Sequence, residues 1–441
     1  MEAEATEIVR TLRQAGHIAY FAGGCVRDRL LGKEPVDFDI ATDATPERVQ
    51  EIFPRTVPVG AQFGVVLVVS QGEEYQVATF RADGAYIDGR HPEGVVFTTA
   101  EGDASRRDFT INGLFYDPID QQVLDYVGGE ADLQCRLLSA IGEPRKRFEE
   151  DRLRILRGVR FGATLAFDIE PATWEAIREY APRIHDVSAE RIREELVKIF
   201  LSPRRVAGFD LLDASGLLGE LLPEITAMKG CDQPPEFHPE GDVFVHTRIM
   251  LDMLPEEVSL PLVFGVLFHD IGKVPTRQVD PTGRIRFNGH ESVSARMTDA
   301  IMRRLKFSND EIEATIEIVQ HHMAFKDVQN MRVARLKRFM ARPTFTDELE
   351  LHRVDCQSSH GMLDNYHFLL AKEQEFANEP LIPKPLINGR DLIDLGWTPG
   401  PVFKQVLEAV ETLQLEGQIT SREEALAWVR DHQSNGKDLP K

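Results

Sequence analysis

Cysteine is scarce in this chain. Four occur in 441 residues, Cys25, Cys135, Cys231 and Cys356, and no two form a CxxC pair. That scatter argues against a disulfide framework or a thiolate zinc site, so the four thiols are read as buried. Long apolar runs are also missing. VVLVV and LPLVFGVLF are the longest, far short of the roughly 20 residues that span a bilayer. The start, MEAEATEIV, is acidic, with no basic segment leading into an apolar stretch. The expectation is a soluble, cytoplasmic protein with no membrane partner. Positive charge is short as well: 51 Lys and Arg face 72 Asp and Glu, a net charge of −21. Phosphate binding rests on Lys and Arg, so such a balance ordinarily counts against nucleic acid. The average conceals clusters at Arg145-Lys146-Arg147, at Arg152, Arg154, Arg157 and Arg160, and at Arg332, Arg335, Lys337, Arg338 and Arg342. Such runs permit an RNA partner or simply form solvated helix faces.

The length allows two to four domains with a large core. Up to about residue 127 strands alternate with helices, with β-rich runs at TVPVG, GVVLVVS and YQVATFR. From about residue 148 amphipathic helices take over, among them EEDRLRILRGVRFGATL, AERIREELVKIFL and NDEIEATIEIVQHHMA. Proline-bearing stretches at 225–242 and 375–390 mark boundaries. The expected class is α+β: a small mixed sheet with helices over 1–127, then all-α segments over 128–225, 226–370 and 371–441.

The most informative stretch is Gly23-Gly24-Cys25-Val26-Arg27-Asp28, followed by Asp37-Phe38-Asp39. HIAYFA reads as a strand, GG as a turn, CVRDRLLG as a short helix and VDFDIA as a second strand. Amides at a helix start attract phosphate oxygens, and glycine admits them closely. Alternation along a strand turns Asp37 and Asp39 one way, and Phe38 and Ile40 into the core. Two same-facing carboxylates suit Mg²⁺, which is shared between protein oxygens and substrate phosphates. The order and closeness of these features read as a site for a nucleoside triphosphate and its metals.

Two further motifs follow, Ser105-Arg106-Arg107-Asp108-Phe109-Thr110-Ile111-Asn112-Gly113 and Glu150-Asp151-Arg152-Leu153-Arg154. With them the chain resembles the class II tRNA nucleotidyltransferase and bacterial poly(A) polymerase family. GGCVRD with DFD is similar to its catalytic motif, RRDFTING to its second motif and EDRLR to its nucleobase-selecting motif. FRADGAYIDGRHPEGVVFT looks like its flexible loop, and LINGRDLIDLGWTPGPVFKQVLE like its tail. The resemblance is close over roughly the first half and weaker beyond. It implies a polymerase-β-like nucleotidyltransferase head over 1–127, a helical neck and body carrying the base-selecting motif over 128–225, and a helical tRNA-binding tail over 371–441. It further implies Asp37 and Asp39 as catalytic Mg²⁺ ligands, and Gly23, Gly24, Arg27 and Arg107 around the triphosphate and sugar.

Asp151 and Arg154 lie three apart on a predicted helix, and Arg157 and Arg160 extend that face. One acceptor beside one donor matches cytosine and adenine, whose Watson–Crick edges offer an amino donor next to a ring-nitrogen acceptor; guanine and uracil present the reverse. Without the upstream motifs the pair would read as an i,i+3 salt bridge worth about 0.2–0.5 kcal/mol, and Arg27 and Arg107 as partners of Asp28 and Asp108. One departure stands out. Many family members carry an acidic residue in the strand that here reads Tyr75-Gln76-Val77, and Gln76 is no charged ligand. Metal binding is therefore assigned to Asp37 and Asp39 only, with Glu73 and Glu74 placed in the preceding turn.

A second constellation occupies the helical half: His246, Phe268-His269-Asp270-Ile271-Gly272-Lys273, His290, His321-His322 and Asp355. It resembles the HD phosphohydrolase superfamily, which implies a metal-binding HD domain over 226–370. The implied ligands are His246, His269, Asp270 and Asp355, with His290 and His322 as further candidates. Imidazole with carboxylate suits a divalent transition metal, whose bound hydroxide would attack a phosphate ester. The resemblances together imply template-independent addition of C, C and A to tRNA 3′ ends from CTP and ATP. A poly(A) polymerase and an A-adding enzyme share these motifs, whereas a CC-only enzyme lacks the DGRHPEGVVFT loop. A third alternative is an HD phosphohydrolase with a nucleotide-binding head.

Overall fold

The computed structural model describes residues 1–60, 64–83, 95–234, 238–239 and 241–435. Residues 84–94 of the expected flexible loop lie outside this set. The chain forms two compact units. The first comprises Met1–Ala227 with Pro255–Glu257 and Ile301–Phe307, and the second the remainder.

The first unit opens with the helix Glu2–Gln14, which buries Ala5, Ile8, Val9 and Leu12 along one stripe. A mixed sheet follows. Its strands β1 (Ala19–Ala22), β2 (Ile40–Thr42), β3 (Thr56–Gly60), β4 (Val65–Ser70) and β5 (Glu73–Thr79) are joined by Phe115–Asp117 and Gln122–Leu124, in the order β3-β4-β5-β2-β1 and then the last two. β1 and β2 are antiparallel, with Phe21 opposite Ile40, and β2 runs parallel to β5, with Ile40 opposite Val77. In β4 every second residue is core, Val66 and Val68 being buried. Gln71 and Gly72 both take positive φ, +52° and +90°. That two-residue turn closes the β4–β5 hairpin directly after Ser70. Glu73 and Glu74 therefore pair with Ser70 and Val69 inside the strand, not in a turn.

The helical part corrects one expectation that matters for the site. EEDRLRILRGVRFGATL is two helices, Pro144–Glu150 and Leu153–Leu165, broken at Asp151, whose backbone is extended (φ −142°, ψ 107°). The Asp151 carboxylate accepts a hydrogen bond from the Leu153 amide at 3.1 Å. Short carboxylate side chains compete in this way with the helical ladder and favour helix ends. The thiols also differ from expectation: Cys25, Cys231 and Cys356 are buried, but Cys135 is exposed.

Among its described residues the second unit is helical, apart from the short pairing of Gln278–Val279 with Ile285–Arg286 and a single bridge between Asp232 and Asp242. Helices Val243–Met253, Leu260–Phe268, His290–Arg304, Asn309–His321 and Phe345–Ser358 carry the histidine–aspartate motif. Gly265 lets two of them approach closely, since a Cβ there would lie 2.8 Å from Ile318 Cγ2. The C-terminal helices Gly389–Asp394, Pro401–Leu415 and Arg422–Asn435 have their own core of Ile387, Leu392, Val406, Val410, Ile419, Ala425 and Val429. No helix among the described residues is long and apolar enough to cross a membrane.

Candidate active site and metal centre

The head site is built around Gly23, which joins β1 to the helix Gly24–Leu30 at φ +74°. A side chain there would be strained by that φ and would meet Arg107 Nη1 at 3.0 Å. Asp37 and Asp39 lie just ahead of β2 rather than inside it, yet the pairing extends one step further, because Ala22 N donates to Asp39 O at 2.9 Å. Phe38 is buried, Asp37 exposed and Asp39 half-buried, the alternation of an extended segment. Burial, and then the Asp37 charge, push Asp39 up to about 6, opposed by Arg107. A carboxylate held high by a like charge is relieved by a bound dication, so the pair fits a divalent metal.

The arginines have partners. Arg27 binds Asp28 and donates from Nη1 to Asn112 Oδ1 at 2.8 Å. Arg107 pairs with Asp103, not Asp108, at 3.1 and 2.9 Å, and lies 5.0 Å over the Phe115 ring. Asp108 instead binds Arg157, and also accepts from Asn112 Nδ2 at 3.1 Å and the Phe109 amide at 2.8 Å. A continuous chain, Arg27–Asn112–Asp108–Arg157, thus links two of the sequence motifs to the helix Leu153–Leu165. Arg160 pairs with the buried Glu195 and stacks 3.9 Å from the centroid of Phe161, whose ring also has Arg27 and Arg157 within 5.3 Å. Arg154 is buried and donates to Glu150 Oε2 at 2.8 Å and to the carbonyls of Arg147 and Arg106. Asp151 is bound by Arg191. Arg154, Arg157 and Arg160 therefore share one helix, while Asp151 stands at the break before it.

Sequence reasoning missed Asp103, Arg191 and Glu195. Asp103 was accessible in principle, since it stands three and four residues before Arg106 and Arg107 on and beside the helix Ala100–Ser105, the spacing of a helical ion pair. Arg191, forty residues from Asp151, gives no local signal.

In the second unit, five helices or their ends bring six ligand-type side chains together. His246 Nε2 is 3.1 Å from Asp355 Oδ1, and His269 Nε2 is 3.1 Å from Asp270 Oδ2. His290 Nε2 is 3.3 Å, and His322 Nε2 3.9 Å, from Asp270 Oδ1. Two overlapping groups, His246/His269/Asp270 and Asp270/His290/His322, have the compactness of metal-ligand sets. His321 lies outside them, paired with Glu317. The second nitrogens set the tautomers. Nδ1 of His269, His290 and His322 faces the carbonyls of Val266, Phe287 and Val319 at 2.9, 2.8 and 2.7 Å. A carbonyl accepts only, so each Nδ1 carries a hydrogen, which leaves each Nε2 as the atom that offers a lone pair whenever the ring is neutral. Nε2 of His290 and of His322 stand 3.0 Å apart, an arrangement that a shared cation relieves. Burial pushes His322 down to about 3, which keeps it neutral and ligand-competent. Burial opposes ionisation of Asp270, but His269 and Lys273 outweigh it and hold the carboxyl well below its usual range. Buried carboxylate and imidazole in this ratio fit a divalent metal.

Three family models match along the chain. Residues 19–139 match the family described as the poly A polymerase head domain, 166–229 the probable RNA and SrmB-binding site of polymerase A, and 242–353 the HD domain. A protein of Streptococcus pyogenes serotype M2 named CCA-adding enzyme is 45% identical over 212 residues, 48% of this chain and 52% of that protein. Its namesake in Streptococcus gordonii is 45% identical over 223 residues, 50% of this chain and 55% of that protein. The chain thus spans about half the length of the curated relatives it matches. The crystal structure of a Bacillus stearothermophilus CCA-adding enzyme in complex with CTP is similar over 98% of both chains, with 26% identity and a TM-score of 0.74. A Thermotoga maritima CCA-adding enzyme complexed with tRNA shares the fold at 19% identity, over 98% of this chain and 95% of that one, with a TM-score of 0.62. A poly A polymerase head domain, the probable RNA-binding site of polymerase A and an HD domain thus follow one another along a chain that is similar to CCA-adding enzymes.

Proposed function

We propose that this protein adds C, C and A to tRNA 3′ ends from CTP and ATP without a nucleic-acid template. The observation that carries the reading is the Asp37/Asp39 pair beside the Gly23 turn, in a chain similar to CCA-adding enzymes. Asp37 and Asp39 would hold Mg²⁺. When bound, it activates the RNA 3′-hydroxyl and neutralises charge on the α-phosphate and the departing pyrophosphate. Gly23 and Gly24 leave room for the triphosphate, while Arg27 and Arg107 supply fixed cationic donors to its oxygens. Asp151 and Arg154 choose the base, and Arg157 and Arg160 continue the cationic face. The corresponding domains are a head over 1–127, a neck and body over 128–225, an HD domain over 226–370 and a tRNA-binding tail over 371–441, in a cytoplasmic protein.

The test is to incubate the protein and Mg²⁺ with tRNA transcripts lacking all, two or one of the terminal nucleotides, supplying CTP, ATP or both. Ordered addition of C, C and A that then stops supports the reading. A long A tail from ATP alone moves the assignment to a poly(A) polymerase, and addition of a single A only to transcripts ending in CC moves it to an A-adding enzyme. A second activity is favoured by the five ligand-type residues gathered in the second unit, with Asp355 beside His246. His246, His269, Asp270 and Asp355, with His290 and His322, would hold a divalent transition metal. Such a metal would supply Lewis-acid activation of water for hydrolysis of a phosphate ester, whether a 2′,3′-cyclic phosphate, a 2′-nucleotide or a phosphomonoester. Metal-dependent hydrolysis that survives loss of nucleotide incorporation checks this reading.

A further inference from the structure

Beside the histidine–aspartate centre lies a buried donor with no partner among the described residues. Gln233 is 4% exposed, and its Oε1 accepts from Lys273 Nζ at 2.7 Å. Its Nε2 is buried and makes no hydrogen bond among the described residues. The orientation of the amide follows from chemistry: an ammonium only donates, so Gln233 must turn its oxygen to Lys273 and present its NH₂ elsewhere. Lys273 is itself buried, 2.7 Å from Asp270 Oδ2 and 5.6 Å over the Phe287 ring. One ammonium thus ties Gln233 directly to the carboxylate shared by both candidate metal-ligand groups.

Buried amide donors are nearly always satisfied in folded proteins, so an open one calls for an occupant. The surroundings say which kind. With a lysine cation and the seat of a dication at hand, the fitting group offers acceptor oxygens and negative charge, as a phosphoryl group does. We infer that Gln233 donates from Nε2 to a non-bridging oxygen of a phosphoryl group bound at this centre, with Lys273 fixing the amide. The inference rests on the phosphohydrolase reading of the centre.

Full-length protein loaded with Mn²⁺ is titrated calorimetrically with inorganic phosphate, in an Asp39→Ala background that removes the head's metal ligand. Gln233→Glu keeps an oxygen for Lys273 but replaces the donor with an acceptor; Gln233→Met removes both at similar size. Bound Mn²⁺ and the thermal midpoint are measured alongside. Phosphate affinity is expected to fall roughly ten- to a hundredfold in both variants, the weight of a hydrogen bond to a charged group, with Mn²⁺ content and midpoint unchanged. Unchanged phosphate affinity in either folded variant overturns the inference and leaves the phosphohydrolase reading standing. Loss of Mn²⁺ in both variants overturns it as well, by making Gln233 a support for the metal ligands. A background chain that binds Mn²⁺ but no phosphate, or no Mn²⁺ at all, overturns both.

Discussion

Arg191 grips Asp151 with both arms of its guanidinium, Nη1 to Oδ1 at 3.1 Å and Nη2 to Oδ2 at 2.7 Å. A forked pair of this kind fixes the plane of a carboxylate. Asp151 stands at a helix break, where its backbone sets the side chain less firmly than a helix interior would, so Arg191 and the Leu153 amide define where its oxygens point. A base reader needs that constancy, since discrimination comes from leaving the wrong base's polar groups unpaired. Asp151→Ala is therefore expected to raise UTP and GTP incorporation relative to CTP and ATP by roughly 10²-fold or more in kcat/KM. Single-nucleotide incorporation kinetics with all four triphosphates check it. An unchanged preference would remove Asp151 from base selection.

The Asp108–Arg157 bridge ties the second motif to the arginine-bearing helix and yields a pH dependence. Burial opposes ionisation of Asp108, but Arg157 and Arg154, helped by Asn112 and the Phe109 amide, outweigh it and bring the group to about 2. Its folded value lies below the usual carboxylate value near 4, so the stabilisation is fully present above about pH 4 and is lost as pH falls towards 2. The difference corresponds to roughly 2 kcal/mol. Asp108→Asn should lower the thermal midpoint at pH 7, and the gap from wild type should narrow between pH 4 and pH 2. A gap constant over that interval would mean that the bridge adds no stability.

Much of this was legible because the motifs combine local periodicity with residues of fixed chemistry. Phe38 and Ile40 inward with Asp37 and Asp39 outward follows from alternation alone, and HDIGK with its distant histidines marks a ligand set before any geometry is known. What was hidden depends on tertiary pairing. The helical period of EEDRLRILR does not reveal that Asp151 interrupts the helix, because the interruption follows from its carboxylate capping Leu153 and meeting Arg191 from another helix. The alternative of an Arg107–Asp108 pair does not form, since neighbours in sequence point to different faces; the helical spacing to Asp103 decides the partner. Glu73 and Glu74 joined a strand because two positive-φ residues made the hairpin turn tighter than composition suggested.

Two sites in two units should be separable by substitution. Asp39→Ala removes one of the two head carboxylates and should abolish nucleotide incorporation while leaving metal-dependent phosphoester hydrolysis intact. Asp270→Ala removes the carboxylate common to both ligand groups of the second unit and should do the opposite. Both activities are measured on each variant, with circular dichroism confirming the fold. Loss of both activities in either folded variant would contradict two independent centres.

Gly272 gives the sharpest packing prediction. A Cβ at this position would lie 2.4 Å from the carbonyl oxygen of His290 and 2.6 Å from the amide nitrogen of Ser294, both backbone atoms that cannot rotate away. The Gly272 amide also donates to Ser294 Oγ at 2.9 Å, so the helix beginning at His290 is seated directly on the glycine. Gly272→Ala must push that helix outward, carrying His290 away from Asp270, whose separation is now 3.3 Å. Overpacking of this kind costs about 1–3 kcal/mol. The expected outcome is a lower thermal midpoint and reduced metal content, measured by atomic absorption, with nucleotide incorporation unaffected. Gly283→Ala is the control. Unlike Gly272, whose φ is −70°, Gly283 has a positive φ (+84°), but its new Cβ would stand in open space, with nothing within 4 Å. Its strain should cost about 1 kcal/mol while leaving bound metal unchanged. Full metal content in Gly272→Ala would show that His290 is not held by this contact.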